Sequence, residues 1–294
     1  MQTPAQKLRA LIEKGEHFVC GDVFSALTGR IVEHVGFPAA YLGGHACSAF
    51  HYAVPDNGVY SQVEQIEQAS RIANVMNIPL IADADTLGET VADAYHFTRR
   101  YIQQGIAGFH VEDERNPKHS KHVNGLWSIE DQQARIDAAL RARRDMNSDF
   151  VIIARCDELY PSEAGGGGTG DMAEAIKRGH AYAEAGADVL FYPPRPDPVP
   201  ELVKEFGSKV PIATMGFSLP GTGFNMATGG WVVAAVNHLK MARELMETGS
   251  VTSGREAFGN FPEKYELIDH PLYDGLIEEW ADKTGRQSRP NHAP

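Results

Sequence analysis

Pro79-Leu80-Ile81-Ala82-Asp83-Ala84-Asp85 is an apolar run that closes on two acids. A continuous apolar run fits a strand buried on both faces, as strands of parallel sheets are. Residues 79–83 therefore read as one strand. Similar runs recur at 17–20, 39–42, 108–112, 150–155, 188–192 and 210–215, with 224–228 a weaker eighth. Between them lie segments of helical period at 27–34, 61–75, 129–143, 172–187 and 231–246, with apolar residues at i, i+3, i+4 and i+7. Ser61 and Ser128 stand where N-caps belong, each with an acid three residues on. Gly36, Gly105 and Gly186 follow helical runs, as glycines just past a helix end do. Residues 1–16 read as a polar amphipathic helix.

Seven or eight such units in 294 residues predict an α/β fold, a (β/α)8 TIM-type barrel rather than an open doubly wound sheet. Residues 1–252 are assigned to the barrel. From Ser253 onward helical pattern no longer alternates with strands, so 253–294 is read as a C-terminal helical extension. Residues 261–280 carry apolar positions at helical spacing, which must cover something, a neighbouring subunit being one candidate. The glycine run 165–168 lacks the Lys-Ser/Thr ending of a phosphate loop and reads as a connection after a strand.

Composition excludes several partner classes. Apolar residues make up 43% and charged residues 22%, with mean hydropathy −0.31. No apolar run reaches the roughly 18 residues a membrane span needs. Residues 1–16 hold no apolar core of a secretory signal, so a cytoplasmic protein is expected. Thirty-nine acids against 27 bases give a net charge of −12. A field of that sign repels nucleic acid and anionic lipid, so neither is an expected partner. Cys20, Cys47 and Cys156 are odd in number and lack C-x-x-C spacing, against a disulfide framework or a zinc knot.

The chemistry gathers at strand ends, where barrel active sites form. Asp83 and Asp85 end one run and Glu112 ends the next, while Asp56 lies in the loop Val54-Pro55-Asp56-Asn57-Gly58. One acid alone reads as a helix cap or a partner for arginine. Several converging acids without matching lysines repel one another, and a hard divalent cation removes that cost. Arg155 closes Ile152-Ile153-Ala154-Arg155 and suits a substrate carboxylate, or a salt bridge to Asp157 or Glu158. Gly43-Gly44 after Tyr41 exposes backbone N–H groups that can cradle an anion, or forms a plain turn. His45, beside them, is grouped with the substrate-binding residues. Residues 116–125 form a polar, basic loop. It is either ordinary surface or a lid that brings Lys118, Ser120 and His122 over a bound anion.

Taken in order, these residues resemble the isocitrate lyase / phosphoenolpyruvate mutase superfamily. The matching stretches are Tyr41-Leu42-Gly43-Gly44, Pro55-Asp56, Asp83-Ala84-Asp85, His110-Val111-Glu112-Asp113 and Ala154-Arg155-x-Asp157. Pro117-Lys118-His119-Ser120-Lys121-His122 resembles the family's gating loop. The resemblance implies a magnesium-dependent barrel that forms a homotetramer and exchanges C-terminal helices. It implies that Asp85 contacts Mg2+ while Asp56, Asp83 and Glu112 hold its waters. Gly43, Gly44 and Arg155 would bind the substrate carboxylate, and Tyr41 would handle a proton.

Departures from the family pattern bear on the reaction. Ser120 stands where the C–C lyases carry Cys, and a serine hydroxyl is a far poorer acid than a thiol of pKa about 8.5. Lys121 replaces the loop glycine, and Leu87-Gly88-Glu89 replaces a glycine-aromatic-glycine sequence. Phe191-Tyr192-Pro193-Pro194 lacks a Glu, and Met215 replaces an Asn, both features of methylisocitrate lyases. The resemblance implies first a retro-aldol C–C lyase acting on a small 2-hydroxy or 2-oxo di- or tricarboxylic acid. In it Tyr41 deprotonates the 2-hydroxyl, and Ser120, His122 or solvent returns a proton. The alternatives are decarboxylation or hydrolysis of an oxaloacetate-like acid, P–C chemistry on phosphonopyruvate, and a barrel that binds without turnover.

Overall fold

The computed structural model describes residues 2–119, 122, 125–146, 148–161, 165–193 and 195–285. Its strands are β1 (Phe18–Asp22), β2 (Ala39–Leu42), β3 (Leu80–Asp83), β4 (Gly108–Glu112), β5 (Val151–Arg155), β6 (Val189–Phe191), β7 (Ile212–Met215) and β8 (Phe224–Met226). They pair in parallel in chain order, and β8 closes onto β1. The chain thus forms the expected (β/α)8 barrel, and the weak eighth run is a strand. Every residue of β2, β3, β4 and β5 is buried, which is why their sequences read as unbroken apolar runs.

Helix boundaries follow the sequence signals. The Ser61 side chain accepts from Glu64 N in a reciprocal capping box. The Ser128 side chain accepts from Asp131 N. Gly36 and Gly186 end their helices in the left-handed region, at φ 98° and 103°. Helices Val91–Gln103 and Val199–Phe206 were not legible as such. The first is rich in Val, Tyr and Phe, which favour strands, yet Thr90 and Asp93 cap it reciprocally.

Two apolar cores result. The larger lies between the strands and the surrounding helices, around Ile72, Tyr101, Phe109, Ile136 and Phe206. The smaller fills the barrel lumen with Cys20, Tyr41, Ile81, Ile153, Phe191, Phe224 and Met226. Leu8, from helix Pro4–Glu13, belongs to this inner set and is fully buried. The upper rim is built by register: Asp83 pairs with His110, Glu112 with Arg155, and Arg155 with Phe191.

The chain divides into two compact units, Met1–Ala235 and Val236–Pro294. The division falls within helix Gly230–Thr248, ahead of the 252/253 boundary read from the sequence. The second unit also holds helices Thr252–Gly259, Lys264–Leu267 and His270–Thr284.

Truncating Leu8 leaves a cavity against the lumen core. Leu8→Ala is expected to lower the unfolding free energy by about 2–5 kcal/mol, measured by urea denaturation.

Candidate active site

The end of β2 sets the first wall. Tyr41 is buried, and its hydroxyl lies 2.9 Å from His110 Nε2. His110 Nδ1 in turn faces Asp83 Oδ1 at 3.6 Å. Immediately after β2 the chain enters the short helix Gly44–Cys47, with Gly43 at its cap. Gly44 N donates to Asp83 Oδ2 at 2.9 Å. A Cβ at Gly44 would stand 2.7 Å from that oxygen and 3.1 Å from Asp85 Oδ1. The glycine is therefore required by the close approach of two carboxylates. Asp85 N donates to Asp83 Oδ1 at 2.8 Å, with Asp85 itself in the left-handed region at φ 44°.

Behind this wall lies a buried ring of charge. Lys118, fully buried, places Nζ 2.5 Å from Asp85 Oδ1, 2.9 Å from Glu112 Oε1 and 3.4 Å from Asp56 Oδ1. Arg155 bridges the next sector, with Nη1 at 2.8 Å from Glu112 Oε2 and Nη2 at 2.9 Å from Asp157 Oδ1. Arg155 makes the expected salt bridge to Asp157 and also faces the cavity.

That cavity, about 220 Å³, opens at the rim. Among the sequence-predicted residues, Tyr41, Gly43, Gly44, His45, Asp56, Asp83 and Arg155 line it. Asp85, Glu112 and Lys118 sit behind it. Lys118 was read as a cation over a bound anion. Instead it lies among acids, because they offer the strongest field to a buried ammonium. His122 is exposed and is not part of the cavity wall. Ser120, the expected replacement for the lid thiol, lies outside the described residues. Cys20, Cys47 and Cys156 are buried, and burial pushes all three thiols up, so none offers an acidic thiol.

Sequence reasoning missed His110, His119, Tyr160 and Thr228 as site groups; all but His110 line the cavity, as do Phe191 and Met215, singled out above as departures from the methylisocitrate lyase pattern. His110 had a legible signal, since it stands two residues before Glu112 on one strand and so shares its face. Thr228 carried none. A roomier groove of about 580 Å³ runs along Val91, Tyr95, Ala134 and Arg141, on the outer helices. It gathers no group of carboxylates, so the chemistry belongs to the rim.

Burial and charge set the protonation states. Burial pushes the Tyr41 hydroxyl well up, and nearby Asp83 adds to this. Burial also lowers His110, against the pull of Asp83, and leaves the imidazole neutral. For Asp83 burial works upward, but His110, Lys118 and Arg155 together hold its carboxyl below the ordinary range. Burial raises Asp85 well above the usual carboxylate range, only partly offset by Lys118. Asp56, Asp83, Asp85, Glu112 and Asp157 thus confront two cations, Lys118 and Arg155.

The residues fit a hard divalent cation by donor chemistry. Asp56 Oδ1 and both Glu112 oxygens are buried without a hydrogen-bond partner, and the donors are all carboxylate oxygens. Among the described residues no three candidate ligands already stand at metal-binding spacing, and the Lys118 ammonium lies between three of the acids.

Residues 8–246 match the family described as phosphoenolpyruvate phosphomutase. The chain belongs to this family. The superfamily expected from the sequence motifs is thereby borne out. The isocitrate lyase of Haloferax volcanii is 33% identical over 196 residues, which cover 66% of this chain and 54% of that protein. The 2,3-dimethylmalate lyase of Eubacterium barkeri is 34% identical over 189 residues, 64% of this chain and 62% of that one. The chain thus spans between half and two thirds of the length of these relatives. Among solved structures, a phosphonopyruvate hydrolase in complex with oxalate and Mg2+ superposes with a TM-score of 0.80. It is 27% identical and covers 94% of this chain and 98% of its own.

Glu114, which follows this ring, supplies a pH test. Burial, with help from Glu112, raises its carboxyl from 4.5 to about 7. The folded state therefore favours protonated Glu114. That contribution is complete below pH 4.5 and is lost as pH rises through about 7. Relative to Glu114→Gln, the wild-type urea midpoint is expected to fall between pH 5 and pH 8.

Proposed function

We propose that this protein is a magnesium-dependent C–C lyase that cleaves a small, malate-like 2-hydroxy dicarboxylic acid. The observation that carries this reading is the convergence of Tyr41, Arg155, the glycine pair, Asp56 and Asp83 on one 220 Å³ cavity, with Asp85 beside Gly44 and Asp83. Asp85 would hold the ion, with Asp56, Asp83 and Glu112 holding its waters. Magnesium would supply positive charge next to the 2-oxygen, where negative charge develops.

The remaining work falls to side chains. The Gly43 backbone N–H and the unspent N–H groups of Arg155 bind the C1 carboxylate, while the Gly44 N–H is taken by Asp83 and holds that side chain at the cavity edge. Burial keeps the Tyr41 hydroxyl protonated, so it cannot take up a proton without giving its own away. Its contact with neutral His110 provides a proton acceptor. The 2-hydroxyl proton passes to Tyr41 as the Tyr41 proton passes to His110 Nε2, and Asp83 faces the imidazolium that forms. The C2–C3 bond then breaks. Its electrons leave on the departing acid as an enediolate, and C2 becomes the carbonyl of a 2-oxo acid. Ser120, His122 or solvent protonates the enediolate carbon; His110 then returns its proton through Tyr41 to solvent, and solvent reprotonates any side chain that served as donor, which completes the cycle. Arg155 is the one guanidinium among the described lining residues, and Phe191 and Met215 offer an apolar wall. Together they favour alkyl substituents over a third carboxylate.

Assembly as a homotetramer through the C-terminal helices is part of this proposal. Leu272, Tyr273, Leu276, Ile277 and Trp280 are exposed on helix His270–Thr284 and recur at helical spacing.

Two measurements check these readings. Malate derivatives incubated with the protein should release pyruvate or glyoxylate, EDTA should abolish the release, and Arg155→Gln should lower kcat/KM by about 10²–10³-fold. Carbon dioxide from oxaloacetate, or phosphate from phosphonopyruvate, with no 2-oxo acid from the malates, would favour the other chemistries instead. Sedimentation should give the mass of four chains, and Leu276→Asp with Ile277→Asp should shift it to smaller species.

A further inference from the structure

Lysine is seldom fully buried unless its charge is matched, and Lys118 is overmatched. Its ammonium faces Asp85, Glu112 and Asp56 at 2.5, 2.9 and 3.4 Å. An ammonium carries three donors, yet only the contact with Asp85 has the geometry of a hydrogen bond. The Glu112 Oε1 and Asp56 Oδ1 atoms that face Nζ have no hydrogen-bond partner. Charge alone therefore holds two of the three carboxylates to the lysine. Hydrogen-bond directionality ties the ammonium to Asp85 alone, so a cation of higher charge can compete for the oxygens of Glu112 and Asp56 and replace it. Such an ion, held by Asp85 and the waters on Asp56 and Glu112, would need the same oxygens, and two cations crowded onto them repel.

We propose that the Lys118 ammonium is the exchangeable counter-ion of the acid ring. It occupies the ring when no metal is bound, and a divalent cation displaces it. This rests on the metal reading given under Proposed function. Metal occupancy then controls whether the Lys118 amine is buried or free to meet solvent and ligand. The apparent metal affinity includes the cost of expelling the lysine, so removing its charge strengthens metal binding.

Mn2+ binding can be followed without turnover, by the electron paramagnetic resonance signal of the free ion. Lys118→Met is expected to bind Mn2+ at least tenfold more tightly than wild type, and Lys118→Arg, which keeps the charge, no more tightly. Because Lys118→Met leaves acids unpaired and can fail to fold, the wild-type protein provides a second reading. Acylation of Lys118 by an amine-reactive ester, quantified by peptide mass spectrometry, should speed up at least fivefold at saturating Mg2+. Sodium chloride at equal ionic strength should not produce that change. Mn2+ bound equally well by wild type and folded Lys118→Met, or a Lys118 amine as protected with Mg2+ as without, overturns the exchange and leaves the metal reading standing. No Mn2+ binding by either protein overturns both.

Discussion

The structure depends on a buried excess of negative charge at the barrel rim. Parallel register places Asp83, Glu112 and Arg155 on adjacent strand ends, and loops add Asp56, Asp85 and Asp157. Isolated ions do not enter such a site without a large desolvation cost. Lys118 and Arg155 offset part of it, each shared between carboxylates. What remains uncompensated shows in the raised Asp85 carboxyl. The same crowding of carboxylates leaves Gly44 no room for a side chain beside Asp83 and Asp85.

A second layer keeps that arrangement rigid. Asp113 Oδ1 accepts from Asp157 N at 2.8 Å, and its Oδ2 accepts from Tyr182 at 2.6 Å and Arg178 at 3.1 Å. Asp157 in turn holds the Arg155 guanidinium through Nε and Nη2. The position of Arg155 is thus fixed from helix Met172–Ala185, through Asp113 and Asp157. Tyr101 extends the same logic to β3, donating to the Asp83 carbonyl at 3.0 Å. Fixed dipoles and charges of this kind need little reorganisation when charge develops on a bound acid.

Strands and caps were legible because they depend on local rules. Burial on both faces writes itself as an apolar run, and Ser61 or Gly36 acts within a turn of its own helix. The carboxylates were legible because strand ends converge in any barrel. The partner of Lys118 was not, since Asp56 and Asp85 lie 62 and 33 residues away in sequence and meet it only after closure. Nor could periodicity separate Tyr41 acting alone from Tyr41 acting through His110. The pairing requires β2 and β4 to present both rings to the lumen, a tertiary fact.

Stability and chemistry here rest on the same atoms. A buried ion pair contributes little net free energy when complete, but breaking one leaves its partner charged and unsolvated. Glu112 touches both cations of the ring, so its loss would remove one partner from Lys118 and one from Arg155 at once. Ring substitutions therefore act on folding and on function at once. Positions on the apolar wall differ: Phe191 packs into the lumen core and faces the cavity, while Met215 is only half-buried at the end of β7. Changes at Met215 can therefore reshape the cavity wall without touching the charged ring.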